Sequence, residues 1–462
     1  MPSIVVRKSM VKARGPFAPE GIRNKAVKKA LRKAVRGGFQ LEMVPRGCKL
    51  DKYKPIKVPP ITIENTDIVA YCSPDSTYAA TKRLFDEAKK SIVIGIYDFT
   101  ADYMKEMVLN ALQRKVKVTL MLDIDSKDEQ KMFDEMVDSG VDGVPAPSCA
   151  SHKIHYFSSS HEKVIVIDDE WCLVQSGNYS ENSIPLNVKD GGDPKHFRFG
   201  NRDTGLAIRS PELSKFFTKV LDSDMALELG AEGIAKVKAP PQAAFLVEKA
   251  PKVVPTKLFP SKSFSINGSL EVQPVLSPDN YMETIPEKLK AARKSILIEQ
   301  QYIRGSQGDI TELLEAIQEA RKKAPKLAVR IILGKLFNKK ALPQEKKNLQ
   351  LLASKYKLTL GRNIRYIDTD RFVHCHNKMI LVDGKGVLIS SQNWSDSAVS
   401  KNREAGVWLK HTGICSYFTD IFESDWKSAK NKPTGVGPAT VEPEALQKGG
   451  YVRVSPADYQ EV

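Results

Sequence analysis

The sequence predicts an α/β fold made of two duplicated α/β/α sandwich units, packed about a pseudo-twofold axis with one shared active site. Three observations carry this prediction. The segment SPDSTYAATKRLFDEAKKSIVI, beginning at Ser73, returns as SPDNYMETIPEKLKAARKSILI from Ser277, 204 residues later. NRDTGLAI from Asn201 returns as NREAGVWL from Asn402, and KFFTKVLDSDM from Lys215 returns as SYFTDIFESDW from Ser416, both 201 residues on. Three blocks in one order at nearly one offset mark an internal duplication.

The elements follow in chain order. Residues 1–60 form a basic N-terminal extension; between residues 5 and 36 it holds eleven Lys or Arg and a single acidic residue, Glu20. Within it Ile22, Val27, Ala30, Leu31, Ala34 and Val35 recur at helical spacing with cations opposite, and Gly37-Gly38 ends the run. This predicts a basic amphipathic helix that suits an anionic membrane surface or nucleic acid, or a solvated helix on the body of the protein. The first unit spans 61–228 and the second 271–428. The apolar runs Ser91–Tyr97 and Val116–Leu122 read as buried strands of a largely parallel sheet, with helices between them. Residues 229–270, rich in Pro, Ala and Lys, read as a linker, and 429–462 as a loosely ordered Pro/Gly-rich tail.

Composition bounds the partners without identifying a reaction. The 462 residues carry a formal charge of +16 with 41% hydrophobic residues. That suits a globular chain with polyanionic partners. No apolar run is long enough to cross a bilayer, and the basic N-terminus lacks the apolar core of a secretory signal. Six cysteines without a CxxC pair are expected to be free thiols in a reducing compartment. The expected location is the cytoplasm, peripheral at the inner membrane surface, and the expected state a monomer containing its own pseudo-dimer.

The chemistry sits in a fourth repeated block. HEKVIVID at 161–168 and HNKMILVD at 376–383 share the spacing His-x-Lys-x4-Asp. One such short match is ordinarily an accident, but two in register with a duplication are not. Each is followed by a polar turn ending in Asn, QSGN at 175–178 and SSQN at 390–393. The period of a strand places His161 and Lys163 on one face, and His376 and Lys378 likewise. A pseudo-twofold can then gather two imidazoles, two ammonium groups and two amides in one cleft. No carboxylate cluster accompanies them to hold magnesium, and phosphate is the ligand this set suits. Lys163, Lys378, Asn178 and Asn393 can hold non-bridging oxygens while the imidazoles attack phosphorus and move protons. Cys375 between His374 and His376 does not make a metal site, since alternation turns it away from both. His152 and His155 in SHKIHYF read as ordinary loop residues, and Trp171, Trp394, Trp408 and Trp426 as core, with Trp394 beside the second turn.

Over roughly residues 61–428 these blocks resemble the phospholipase D superfamily, whose duplicated HxKx4D motif and following GSxN-type turn match both halves. The resemblance implies a phosphodiesterase or phosphatidyltransferase acting through a phosphohistidine, with no cofactor and no metal. It implies a catalytic set of His161, Lys163, Asp168, His376, Lys378 and Asp383, with His161 as nucleophile. It implies phosphate contacts from Asn178 and Asn393, with Ser176 and Ser391 in the supporting turns. Asp203 and Glu404 match positions where a carboxylate orients the opposing His, and Asp168 and Asp383, which complete the motifs, hold local structure. Gln175 and Ser390 stand where the family usually has Gly. The substrate class stays open between phospholipid headgroups, to which we lean, and DNA or RNA, suggested by the charge and by Lys189, Lys195, His196 and Arg198 in the longer first copy. A non-catalytic scaffold is disfavoured, because neither motif has lost a residue type.

Overall fold

The computed structural model describes residues 4–7, 40–43, 48–150, 155–229, 258–336, 341–435 and 452–454. The expected basic helix at 22–36 lies outside these residues, as does His152. The short strands β1 (Ile4–Arg7), β2 (Gln40–Met43) and β17 (Val452–Val454) form a separate antiparallel sheet in the order β17-β1-β2. This places a strand within the tail.

The first unit runs β3 (Ile61–Ser73), α1 (Thr77–Glu87), β4 (Ser91–Ile96), α2 (Asp102–Gln113), β5 (Lys117–Leu122), α3 (Lys127–Asp138), β6 (Asp142–Pro145), β7 (Lys163–Ile167), β8 (Trp171–Gln175), α4 (Pro194–Arg198), β9 (Asp203–Arg209) and α5 (Pro211–Leu229). The second repeats it: β10 (Lys262–Ser277), α6 (Tyr281–Lys290), β11 (Ser295–Gln300), α7 (Gly308–Lys323), β12 (Ala328–Leu333), α8 (Leu342–Tyr356), β13 (Ile364–Tyr366), β14 (Met379–Val382), β15 (Gly386–Ser390), α9 (Asp396–Ser400), β16 (Glu404–Lys410) and α10 (Thr412–Ser428). The strand order β13-β12-β11-β14-β15-β16-β10-β3-β9-β8-β7-β4-β5-β6 reads alike from either end, with the antiparallel β3–β10 pair at its centre.

Two expectations need correction. The sheet is not largely parallel: within each unit only β4–β5–β6 and β11–β12–β13 are parallel, and the remaining neighbours are antiparallel. Apolar runs such as SIVIGI were read as parallel strands because both faces are buried, and burial arises here from helices on both sides rather than from strand direction. The stretch 229–270 is not linker throughout either, since β10 begins at Lys262 and pairs along β3 from Ile61 to Ala70. Polar outward residues such as Ser263 and Ser265 disguised it.

Side-chain alternation along β7 shows how the layers form. Val164 and Val166 enter a central core, whereas Ile165 and Ile167 enter an outer core against α1 to α3. The central core is shared by both units and includes Phe217 and Leu221 of α5 with Phe418, Ile421 and Phe422 of α10. The second unit has its own outer core under α6 to α8. Each such buried side chain contributes about 1.5–3 kcal/mol by burial. The sheet therefore folds back on itself with α5 and α10 inside, which brings the two units into one body.

The two units are also locked by buried ion pairs. Arg202 donates to Asp425 of α10 (2.7 Å) and Asp75 (2.6 Å), and Arg403 to Asp224 of α5 (2.7 Å) and Asp279 (2.5 Å). Each arginine thus binds one carboxylate of its own unit and one of the other. Burial alone would favour neutral forms, but the facing carboxylates keep both guanidiniums charged.

Residues 48–60, a strap that precedes β3, belong to this body. Tyr53 donates to Asp279 (2.9 Å), accepts from Arg403 (2.7 Å), and packs on Phe157. Cys48 forms a disulfide with Cys149, correcting the expectation of six free thiols; Cys72, Cys172, Cys375 and Cys415 are free and buried. The partners are 101 residues apart, and sequence spacing gave no sign that the chain passes the same loop twice. A truncation that spares the fold therefore ends before Cys48.

Candidate active site

β7 and β14 lie in matching places on the two sides of the central core, and the residues just before each meet across it. The main chain holds this junction. His161 N–H donates to the Arg403 carbonyl (2.7 Å), and His376 N–H donates to that of Arg202 (3.0 Å). The imidazole centroids lie 6.3 Å apart, with each side chain 12% exposed.

Each imidazole is oriented by the opposite unit. His161 Nδ1 lies 2.8 Å from Glu404 Oε2, and His376 Nδ1 lies 3.0 Å from Asp203 Oδ1. Lys163 Nζ donates to the His161 carbonyl and Lys378 Nζ to that of His376, both at 2.5 Å. Both lysines are fully buried. Asn178 and Asn393 are buried as well, and each has a side-chain Oδ1 without a hydrogen-bond partner among the described residues.

Supporting contacts explain the turns. Ser176 donates to Asp203 Oδ1 (2.8 Å), and Ser391 accepts from the Ala405 N–H (3.0 Å). Gln175, where the family has Gly, accepts from the Tyr71 hydroxyl (3.0 Å) and donates to the Gly177 carbonyl (2.8 Å), bracing the turn that presents Asn178. The neighbouring Gly205 is required by a close approach, because a Cβ there would fall 2.2 Å from the Tyr71 ring. Ser390 donates to the Lys378 carbonyl (3.0 Å).

The motif aspartates do not join this cluster. Asp168 accepts the N–H groups of Lys89, Lys90 and Ser91 at 2.6–2.9 Å, and Asp383 those of Arg293, Lys294 and Ser295 at 2.6–3.1 Å. Six residues of largely extended chain separate each from its histidine, a span of roughly 20 Å. Their place among the catalytic residues is corrected: they cap the loops that lead into β4 and β11.

Electrostatics follow from burying cations together. Desolvation, then Lys163, Lys378 and His376, push His161 well below its ordinary range. Desolvation and Lys378 lower His376 to about 4 against the opposing pull of Asp203. Burial lowers Lys163 to about 8 and Lys378 to about 7. Although burial opposes it, His376 holds the Asp203 carboxyl below its usual range, while desolvation pushes Glu404 up to about 8. Without an anion in the site, burial beside the lysines disfavours charge on either imidazole, and a bound anion would favour it.

Several neighbours had escaped the sequence reading. Tyr97 packs against His161 with the rings tilted (centroids 4.6 Å) and lies under Lys163 Nζ (5.1 Å). Asn377 accepts from Ser176 (3.2 Å) and Thr204 (2.6 Å) and donates to Glu299 (2.8 Å), tying the second motif to the first unit. Its counterpart is Glu162, and the counterpart of Glu299 is Gly95. Each unit therefore buries one carboxylate here, from exchanged positions. Burial pushes Glu162 up to about 7 and Glu299 to about 8. The ion-pair residues had a visible signal: Asp75/Asp279, Arg202/Arg403 and Asp224/Asp425 occupy matching places in the three repeated blocks. His155 lies on the strap side, its carbonyl accepting from Asp51 N–H (2.8 Å).

Among the described residues no helix is long and apolar enough to cross a membrane, and no group of His, Cys, Asp or Glu has the arrangement of a metal site.

No curated protein matches the chain in sequence. In structure it is similar to the phosphatidylserine synthase of Haemophilus influenzae Rd KW20, at 15% identity and a TM-score of 0.58, over 85% of this chain and 94% of that one. It also aligns with Nuc, a phospholipase D family member from Salmonella typhimurium, at 19% identity over 36% of this chain and 94% of that one, with a TM-score of 0.27. Residues 81–225 and 285–426 each match the family model described as cardiolipin synthase, PLD-like domain. These two segments make up more than half of the chain, and with them the chain belongs to the phospholipase D superfamily.

Proposed function

We propose that the protein transfers or hydrolyses phosphodiesters through a phosphohistidine, acting on phospholipid headgroups. The observation that carries this reading is the pair of imidazoles, each oriented by the other unit's carboxylate beside two buried lysines. His161 Nε2 attacks phosphorus and the bond to the headgroup oxygen breaks. His376 gives that oxygen its proton. Water or a second alcohol then loses a proton to His376 and attacks phosphorus, and the P–N bond breaks to restore His161. Lys163, Lys378, Asn178 and Asn393 stabilise the charge on the non-bridging oxygens.

The ionised Asp203 supports the acid role, since it favours a proton on His376, the residue that must deliver one. Attack by His161 requires its proton on Nδ1 and hence an ionised Glu404. Desolvation raises Glu404 to about 8, with Lys163 opposing it, so attack by His161 should quicken as pH rises toward that value.

The reading is tested by incubating purified protein in EDTA with labelled phospholipid vesicles and with single-stranded DNA. We expect release of the lipid headgroup, undiminished by chelation, because two lysines supply the charge a metal would otherwise bring. Loss of activity in EDTA with recovery in magnesium would overturn the mechanism. Fast DNA cleavage with inert lipid would favour the nuclease reading, which draws on the exposed Lys189, Lys195 and Arg198.

Binding should also be coupled to protons. Sulfate keeps its charge across neutral pH, so any pH dependence of its affinity belongs to the protein. An anion raises the pKa of nearby cations, so protons are taken up on binding, and affinity should weaken as pH rises through about 7 and 8, where Lys378 and Lys163 lose charge. Lys378→Arg, which cannot deprotonate, should remove the lower step. Calorimetry from pH 6 to 9 checks this, and a flat profile contradicts it.

A further inference from the structure

The pseudo-twofold gives both imidazoles a carboxylate, but it does not give the two carboxylates the same support. Ser176 and Ser391 occupy matching places, as do Asp203 and Glu404. Behind them the two sides diverge. Thr204, Asn377 and Glu299 stand on the Asp203 side, and their counterparts are Ala405, Glu162 and Gly95. Glu404 accepts from Asn402 (3.0 Å), a residue of its own stretch of chain. Asp203 is instead supported through side chains drawn from both units.

The Ser176 hydroxyl is the deciding group. It has a single hydrogen and two side-chain acceptors in reach, Asp203 Oδ1 at 2.8 Å and Asn377 Oδ1 at 3.2 Å. An amide oxygen has two lone pairs, and other donors fill both here: Thr204 Oγ1 at 2.6 Å and the Lys378 N–H at 3.0 Å. The Ser176 hydrogen is therefore left to Asp203 Oδ1, the same oxygen that holds His376 Nδ1. The Asn377 amide cannot turn over. Its Nδ2 donates to Glu299 Oε2 (2.8 Å), and reversal would aim that NH2 at the Lys378 N–H. Ser176, Asp203, Thr204, Glu299 and Asn377 are each at most 2% exposed, so bulk water does not substitute for any of these bonds. Burial, with Asp425 nearby, pushes Glu299 up to about 8. At neutral pH it thus accepts as a largely neutral carboxyl and sets no second negative charge near Asp203.

We propose that Thr204, Asn377 and Glu299 are positioning residues for proton delivery by His376: they commit the Ser176 hydroxyl to Asp203, which in turn holds the imidazole. The proposal rests on the phosphodiester-transfer reading above, with His376 as the acid. The opposite side is built to move. His161 makes and breaks a bond to phosphorus, so its ring travels toward that atom and back. Glu404 has an additional rotatable bond compared with Asp203, which lets it follow the ring. Ala405 offers no hydroxyl to pin it, and Glu162 accepts from Ser160 (2.9 Å) instead of joining the turn.

The test is Thr204→Val, which keeps the shape of the side chain and removes its hydroxyl. Asn377 Oδ1 then draws the Ser176 hydrogen away from Asp203. Thr204→Ala, the residue found at the matching place 405, should act in the same way. The quantity compared is kcat/KM in mixed micelles, which reads the steps up to release of the alcohol. One substrate is phosphatidyl-p-nitrophenol, whose leaving group scarcely needs a proton, and the other phosphatidylethanol, whose leaving group requires one. Both variants should lose roughly tenfold on phosphatidylethanol, the worth of one hydrogen bond to a charged group. On the p-nitrophenyl ester they should stay within about twofold of wild type, since proton delivery contributes little there. Thr204→Ser, which returns the hydroxyl, should restore the wild-type ratio between the two diesters. Equal loss on both would overturn the proposal, because a merely structural role lowers attack and proton delivery alike. So would variants that keep the wild-type ratio. Wild type that turns over neither diester removes the reading beneath it.

Discussion

His376→Asn should accumulate a covalent phosphoryl adduct on His161, whereas His161→Asn should form none. Each substitution should lower kcat by at least about a thousandfold, because the imidazoles act in one relay. Trapping is best sought with a diester of p-nitrophenol, a leaving group that scarcely needs a proton. The first step can then outrun the second. The adduct should be labile to acid and map to residue 161 by mass spectrometry. An adduct on His376 in the His161→Asn protein would exchange the two roles. Absence of an adduct in both, with turnover retained in either, would end the phosphohistidine mechanism. The geometry behind this expectation is the 6.3 Å between ring centroids, across which a phosphorus atom can face both rings, and the carboxylate behind each Nδ1.

Arg403→Met should destabilise the protein by about 3–5 kcal/mol, since it leaves Asp224 and Asp279 buried without their cation. Arg202→Met should do the same through Asp75 and Asp425. Chemical denaturation measures the loss. The Asp224→Asn change in the Arg403→Met background should recover part of it, because the orphaned charge is then gone. A loss below about 1 kcal/mol would mean that apolar packing alone joins the units. The arginines also bear on the site, since the carbonyls of Arg403 and Arg202 receive the N–H groups of His161 and His376. Variants that still fold should therefore show a lower kcat as well.

The duplication, the two motifs and their Asn turns were legible in the chain because each is a local pattern, repeated at one spacing, and repetition multiplies a weak signal. So were the strand faces: alternation put His161 with Lys163 and His376 with Lys378. The roles of Asp168 and Asp383 were harder to read, since a motif gives order along the chain and not which end of a strand enters the cleft. Strand direction was misread for a related reason, as apolar runs report burial and not the partner's sense.

Tertiary structure alone decided what depends on chain segments far apart meeting. The resemblance implied that Asp203 and Glu404 each orient the opposing His; that they reach His376 at 3.0 Å and His161 at 2.8 Å follows from how the sheet folds over α5 and α10. The Cys48–Cys149 disulfide and the contact of Tyr53 with Arg403 likewise arise from a strap whose partners lie 101 and 350 residues away. Asp98 is an ordinary loop acid in the sequence; only the register of β4 against β7 sets it within electrostatic reach of the buried Lys163, where a low dielectric strengthens the interaction.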